Sequence, residues 1–176
     1  MTDLQHREQA VTAVLEEAAC RRLLSRYSAA IDWADREGLA KIFWPDAKLD
    51  FGAAFFVGSG ADGVDFLIGS VQTSLCRTHT LGSPWLKMSK SEARAEAPAV
   101  NIWISRNPDG SITRYFFTAR YLWELQKRED EWRVSSLKIL ITTAQCTPYD
   151  LGAQPAGFRL LEGLGVDHPL FPGIHA

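Results

Sequence analysis

The stretch LLSRYSAAIDWADREGLAKIFWPDAKLDF, residues 23–51, decides how the rest of the chain is read. Leu23, Leu24, Tyr27 and Ile31, then Leu39, Ile42 and Phe43, recur at three- and four-residue steps, the period of an amphipathic helix. Two helices are therefore expected, with Asp35 as N-cap of the second. Pro45-Asp46 should break that helix, and the alternation Lys48-Leu49-Asp50-Phe51 reads as a first strand. Asp32 departs from the pattern. It lies between Ile31 and Trp33 at the inward end of an apolar face, where a carboxylate is costly to bury without a partner. The ordinary alternative is a solvated aspartate near a turn, bonded to nearby backbone N–H groups.

Working back from this stretch, the chain is rich in Ala, Leu, Glu and Arg from about Arg7, without Pro or Gly, and a single long helix ending near Asp32 is expected. Working forward, residues 52–60 offer a short strand that enters a glycine turn. Ser59 to Asp62 supply capping residues for a third helix, whose face is Val64, Leu67, Ile68, Val71 and Leu75. Strands follow: residues 77–82, then 92–105, where Ala93, Ala95, Ala97 and Ala99 share one face and Pro98 marks an edge or bulge. Asn107-Pro108-Asp109-Gly110 is a hairpin turn. The return strand, residues 111–126, points Tyr115, Phe117, Tyr121 and Trp123 one way, and residues 132–143 complete an antiparallel meander. Helices first and a curved sheet after them give an α+β fold, with N-terminal helices packed on the concave face of a mainly antiparallel sheet. The expected domain is residues 1–144. A Pro- and Gly-rich tail, 145–176, is expected to be irregular and to cover a pocket or a subunit interface.

At 176 residues the chain is long enough for one domain with a real core. A net charge of -2 and a pI near 6.1 exclude the basic face that a nucleic-acid binder needs. No apolar run is long enough to cross a bilayer, and residues 1–14 lack the basic start and apolar centre of a secretion signal. Cys20, Cys76 and Cys146 are an odd number without a CxxC pair, so free thiols and a cytoplasmic location are expected.

Four histidines are present. His6 lies in a polar leader and His168 and His175 in the tail. None forms a metal-binding pair with another His or a Cys, so no metal site and no cofactor are expected. His79 alternates with Thr78 and Thr80 on a strand that ends in Gly82, and so can face the enclosed side. It is either a core histidine satisfied by a backbone carbonyl, or the partner of Asp32. In the second case the carboxylate fixes the ring tautomer and leaves the other nitrogen to accept a proton. Tyr27 is either core filler or a pocket residue; it is five positions from Asp32, so both line one cavity only if Asp32 ends the helix. Arg120 and Glu124 read as a solvated or interface pair.

Tyr27-x4-Asp32, the following GLAKIFWPDAKLDF, RTHTLG, the aromatic hairpin and EWRVSSLKI together resemble the NTF2-like superfamily over about residues 10–144. The nearest likeness is to its SnoaL-like branch, which includes scytalone dehydratase, bile-acid 7α-dehydratase and a hexachlorocyclohexane dehydrochlorinase. The resemblance implies a cone-shaped fold, and a cofactor-independent lyase or isomerase with catalytic residues His79, Asp32 and Tyr27: His79 and Asp32 form the proton-abstracting dyad, and Tyr27 is the pocket tyrosine that hydrogen-bonds the substrate or the departing oxygen. It implies a small hydrophobic or polycyclic substrate, and a homodimer or homotrimer. One departure stands out: the cationic pocket residue of the dehydrochlorinase falls on Leu137, with Lys138 on the opposite face of the strand. The same resemblance leaves open a non-catalytic ligand-binding domain, or a structural subunit like the β subunit of ring-hydroxylating dioxygenases.

Overall fold

The computed structural model describes residues 3–71 and 74–153, with Gly165 and Asp167. The expected tail lies otherwise outside the described residues from Gln154 on, and with it His168 and His175. The chain opens with α1 (Asp3–Asp32) and α2 (Arg36–Ile42), followed by β1 (Phe43–Asp50), β2 (Val57–Ser59) and α3 (Gly60–Val71). Five strands complete it: β3 (Ser74–Leu81), β4 (Trp85–Met88), β5 (Glu92–Arg106), β6 (Ile112–Arg128) and β7 (Glu131–Pro148).

Between α1 and α2 the chain turns sharply at Ala34, which adopts a left-handed φ of 52°. The N–H of Asp35 donates to Ala30 O (2.8 Å) and that of Ala34 to Ile31 O (3.0 Å), a Schellman closure that ends α1 at Asp32. Asp35 then caps α2, its carboxylate accepting from Gly38 N at 2.9 Å. Ser59 caps α3 in the same way, accepting from Asp62 N. A Cβ at Gly60 would lie 2.1 Å from the Trp44 carbonyl oxygen, so only glycine lets α3 start against β1.

The seven strands form one sheet in the order β2-β1-β7-β6-β5-β3, with β4 also paired to β5. All pairings are antiparallel except β1 with β7. The meander of β5, β6 and β7 is its centre, and Gly110 (φ 83°) closes the first hairpin. Two register shifts along β6–β7, at Thr118/Ala119 and Glu124/Leu125, each give β7 one extra residue. Such bulges bend and twist a strand, and here they curve the sheet around the helices. The alanine face of β5 is buried at Ala93, Ala95, Ala97 and Ala99, which brings the opposing side chains close. Pro98 sits where the neighbour of β5 changes from β3, whose last pair is Leu81 with Ala99, to β4, whose first pair is Trp85 with Glu96. Its missing donor therefore falls at a gap in pairing.

Several expectations are corrected. Pro45 does not precede the first strand but lies inside β1, which starts at Phe43, where the register with β7 shifts between Phe43 and Lys48. Residues 52–56 form a tight turn in which Phe55 and Phe56 donate to Gly52 O, leaving only Val57–Ser59 as strand. β4 was not foreseen, and β7 continues past Thr143 to Pro148, pairing with the start of β6. Both differences arise from cross-strand partners, which local pattern does not encode.

Candidate functional site

Asp32 is the last residue of α1. A carboxylate there opposes the helix macrodipole, whose C-terminal end is already negative, so it needs donors from elsewhere. β3 supplies them. The backbone N–H of His79 donates to both carboxylate oxygens of Asp32 (3.1 and 3.0 Å), and His79 Nδ1 lies 2.7 Å from Asp32 Oδ1. The His79 side chain is 10% exposed and that of Asp32 19%, so the pair is screened from bulk water without being sealed. With the carboxylate beside Nδ1, the neutral ring carries its proton on Nδ1 and donates to Asp32, leaving Nε2 as the basic nitrogen.

Two positions before His79 on the same strand face is Arg77, a buried residue that sequence reasoning did not single out. Its Nε donates to Ile31 O at 2.9 Å and its Nη1 to Val71 O at 3.3 Å, so one guanidinium ties down the C-terminal ends of α1 and α3. Burial pulls the Arg77 pKa below its ordinary value, and the negative charges of Asp32 and the Cys76 thiolate form oppose that shift. The signal was available in the alternation that placed His79 inward, since Arg77 has the same parity.

Tyr27 lies deeper. It is 1% exposed, and its ring meets Phe43, Tyr121 and Trp123 edge-on, with centroids 5.9, 6.1 and 4.8 Å away. Burial holds its hydroxyl pKa well above the usual tyrosine value, with Tyr121 and Asp32 adding to the shift. The structure thus brings Asp32 and His79 into contact and sets Tyr27 among the aromatic rings of the core. Asn101, also unremarked in the sequence, is fully buried on the alanine face of β5 and donates from Nδ2 to Tyr121 Oη at 3.1 Å.

Leu137 is completely buried, whereas Lys138 points outward and pairs with Asp50 at 3.3 Å, so β7 brings no cation to the dyad from these two positions. On the outer face, Arg120 pairs with Glu96 and Arg94 with Glu124. Arg120 and Glu124 are each salt-bridged, but to different partners. His6 is exposed on α1. Cys20, Cys76 and Cys146 are free thiols. Among the described residues, no group of three or more His, Cys, Asp or Glu side chains is arranged to hold a metal ion, and no helix is long and apolar enough to cross a membrane.

On the strand face that carries Asn101, aromatic rings gather around Trp103. Trp103 of β5 packs edge-on to Phe117 of β6 (4.8 Å) and lies nearly parallel to Phe55 of the β1–β2 turn at 6.4 Å. Phe55 is half exposed. Two surface grooves, one between the N-terminal half of α1 and Ser89–Ser91 and one beside β4, are lined by neither Asp32 nor His79. Their charged groups are partly exposed pairs such as Lys127–Glu16, which lack the screened acid–base contact of the dyad.

The fold has solved counterparts. A hexachlorocyclohexane dehydrochlorinase (type 2) superposes with a TM-score of 0.70 at 19% identity, over 85% of this chain and 99% of that one. A putative scytalone dehydratase from Novosphingobium aromaticivorans gives 0.67 at 16% identity, over 90% and 98%. An NTF2-like protein with a cystatin-like fold from the same species gives 0.65 at 17% identity, over 81% and 92%. At these identities the likeness establishes the architecture, an α+β cone of the NTF2-like type. No curated protein matches the chain in sequence. The family model described as SnoaL-like domain matches residues 12–138, from the middle of α1 to the centre of β7, and the chain belongs to that family.

Proposed function

We propose that the protein is a cofactor-independent lyase or isomerase of the dehydratase type, in which His79 is the general base and Asp32 its orienting partner. The observation that carries this reading is the contact between His79 Nδ1 and Asp32 Oδ1 at 2.7 Å, on a carboxylate also held by the His79 backbone N–H. Three hydrogen bonds to one carboxylate from one residue fix both position and tautomer, and Nε2 is left to act. The solved counterparts described as dehydrochlorinase and putative scytalone dehydratase support the same class of reaction.

The substrate class is a β-hydroxy carbonyl compound. Nε2 takes the proton next to the carbonyl, the released electron pair forms the carbon–carbon double bond, and the C–O bond to the hydroxyl breaks. The proton on the imidazolium passes to the departing hydroxide, which leaves as water. Proton transfer to a positioned base contributes roughly 10²- to 10⁴-fold. Orientation of the substrate beside the screened dyad supplies the remainder. The half-buried rings of Trp103 and Phe117 suit a small hydrophobic or polycyclic ligand. Tyr27, closed in by three rings, packs α1 against β6 in the core. The working unit is a homo-oligomer in the cytoplasm.

The test uses a panel of cyclic β-hydroxy ketones in D₂O, following enone absorbance for water loss and NMR for exchange of the proton next to the carbonyl. Wild-type protein should accelerate both, and His79→Ala and His79→Gln should lose both while remaining folded. Exchange unaffected by either substitution would overturn the general-base reading, and the domain would then be treated as a ligand-binding module of the same fold.

A further inference from the structure

One row of side chains crosses the concave face at the dyad: His79 on β3, Asn101 on β5 and Phe117 on β6 are register partners. Directly paired residues of antiparallel strands share a face, with Cβ atoms about 4.5–5.5 Å apart. The Asn101 amide therefore stands beside the His79 imidazole. Asn101 is 0% exposed, and while its Nδ2 bonds Tyr121 Oη, its Oδ1 has no hydrogen-bond partner. A buried amide oxygen left unpaired opposes folding and calls for an explanation. Packing does not provide one, because the same strand face carries alanine at 93, 95, 97 and 99. An alanine at 101 would continue that face with no polar atom to satisfy.

The geometry points to Asn101 as a ligand-selecting residue: its Oδ1 accepts a hydrogen bond from a hydroxyl carried by an apolar ring bound against His79. This rests on the dyad marking the ligand site and specifies the ligand's chemistry there, an apolar ring with a hydrogen-bond donor rather than a plain hydrocarbon. Tyr121 holds the amide in orientation. Burial pushes the Tyr121 pKa up, so its hydroxyl stays neutral as the partner of Nδ2. The oxygen is enclosed, and Trp103 and Phe117 are half-buried on the same face. A site built to bond a hydroxyl discriminates strongly against the analogue without it, because the buried polar atom is then left unpaired.

The experiment measures binding of 2-naphthol and 2-methoxynaphthalene by calorimetry, since the two share a ring system but only the first donates a hydrogen bond. Wild-type protein should prefer the naphthol by roughly tenfold or more. Asn101→Leu and Asn101→Ala, the second matching the alanines of that face, should bring the ratio near one while still binding the ether. Proton exchange in His79→Ala reads the general base, and the naphthol-to-ether ratio in wild type and the Asn101 variants reads this inference, so the two can fail separately. Failure of wild-type protein to bind either probe, a wild-type ratio near one, or an unchanged ratio in whichever Asn101 variant folds would overturn the assignment.

Discussion

On the concave face, β3 and β6 stand on either side of β5, and they hold the helices in different ways. β3 grips α1 with directional bonds: the Arg77 guanidinium on the Ile31 carbonyl, and the His79 N–H and ring on Asp32. β6 meets α1 through packed rings, Tyr121 and Trp123 against Tyr27, with Leu125 fully buried beyond them. The apolar side is close-packed and non-directional, so it stabilises the fold without fixing any one atom. The polar side contributes less net stability per bond but places a carboxylate and an imidazole to within a few tenths of an ångström. A site needs the second kind of contact, and a small domain can form it only when the first kind supplies the stability.

Two substitutions should separate the polar grip of β3 from the apolar packing of β6. His79→Ala should lower kcat/KM by about 10²- to 10⁴-fold with the melting temperature close to wild type, measured by water loss and by calorimetry in parallel. Trp123→Ala should do the reverse in kind, costing about 3–5 kcal/mol of stability in denaturant titration through the cavity it opens. If His79→Ala were as destabilising as Trp123→Ala, the dyad would be a structural strut rather than a chemical group.

Tyr27→Phe sharpens the boundary between the regions. With the ring enclosed by Phe43, Tyr121 and Trp123, loss of the hydroxyl should change kcat/KM by less than about fivefold, well below the contribution of an acid–base group. A drop as large as that of His79→Ala would move Tyr27 from the core into the chemistry of the site.

A pH effect belongs to the apolar side. Burial, helped by Glu16 and Glu17, pushes the Cys20 thiol from its ordinary 9.0 up to about 12. Above about pH 9 the unfolded chain releases this proton while the folded chain holds it. The associated stability is therefore complete below about 9 and is lost as pH rises toward about 12. Cys20→Ala, or Cys20→Ser where the cavity is too costly, should flatten the fall in melting temperature between those limits. Near neutral pH, exposed Cys146 should react with iodoacetamide and buried Cys20 should not until the chain unfolds.

The smallest effect is at the join between α1 and α2. Ala34 holds a left-handed φ of 52° in the closure that positions Asp32. Ala34→Gly should therefore raise stability by about 1 kcal/mol, a gain of roughly 2–4 °C for a chain of this size, with the dyad unchanged. Destabilisation instead would mean that the turn is held by its neighbours and that glycine's extra freedom in the unfolded chain dominates.

Features that repeat with a short period are legible in the chain without its fold. Three- and four-residue spacing set α1, α2 and α3, alternation set the meander and the alanine face of β5, and Asn107 to Gly110 set its hairpin. The candidate pair Asp32 and His79 was legible because a carboxylate on an apolar face and a histidine on an inward strand position each break such a pattern. Only the tertiary structure decided that they touch. Their contact spans 47 positions and depends on where the Schellman closure ends α1 and how far the β7 bulges curl the sheet. Arg77 and Asn101 had the right parity to be noticed, but parity gives a face and not a partner. The Ile31 carbonyl that Arg77 caps and the Tyr121 hydroxyl that Asn101 bonds are brought to them only by the folded chain. Local periodicity records which way a side chain points, whereas hydrogen-bond partners and enclosure are set by distances between elements far apart in sequence.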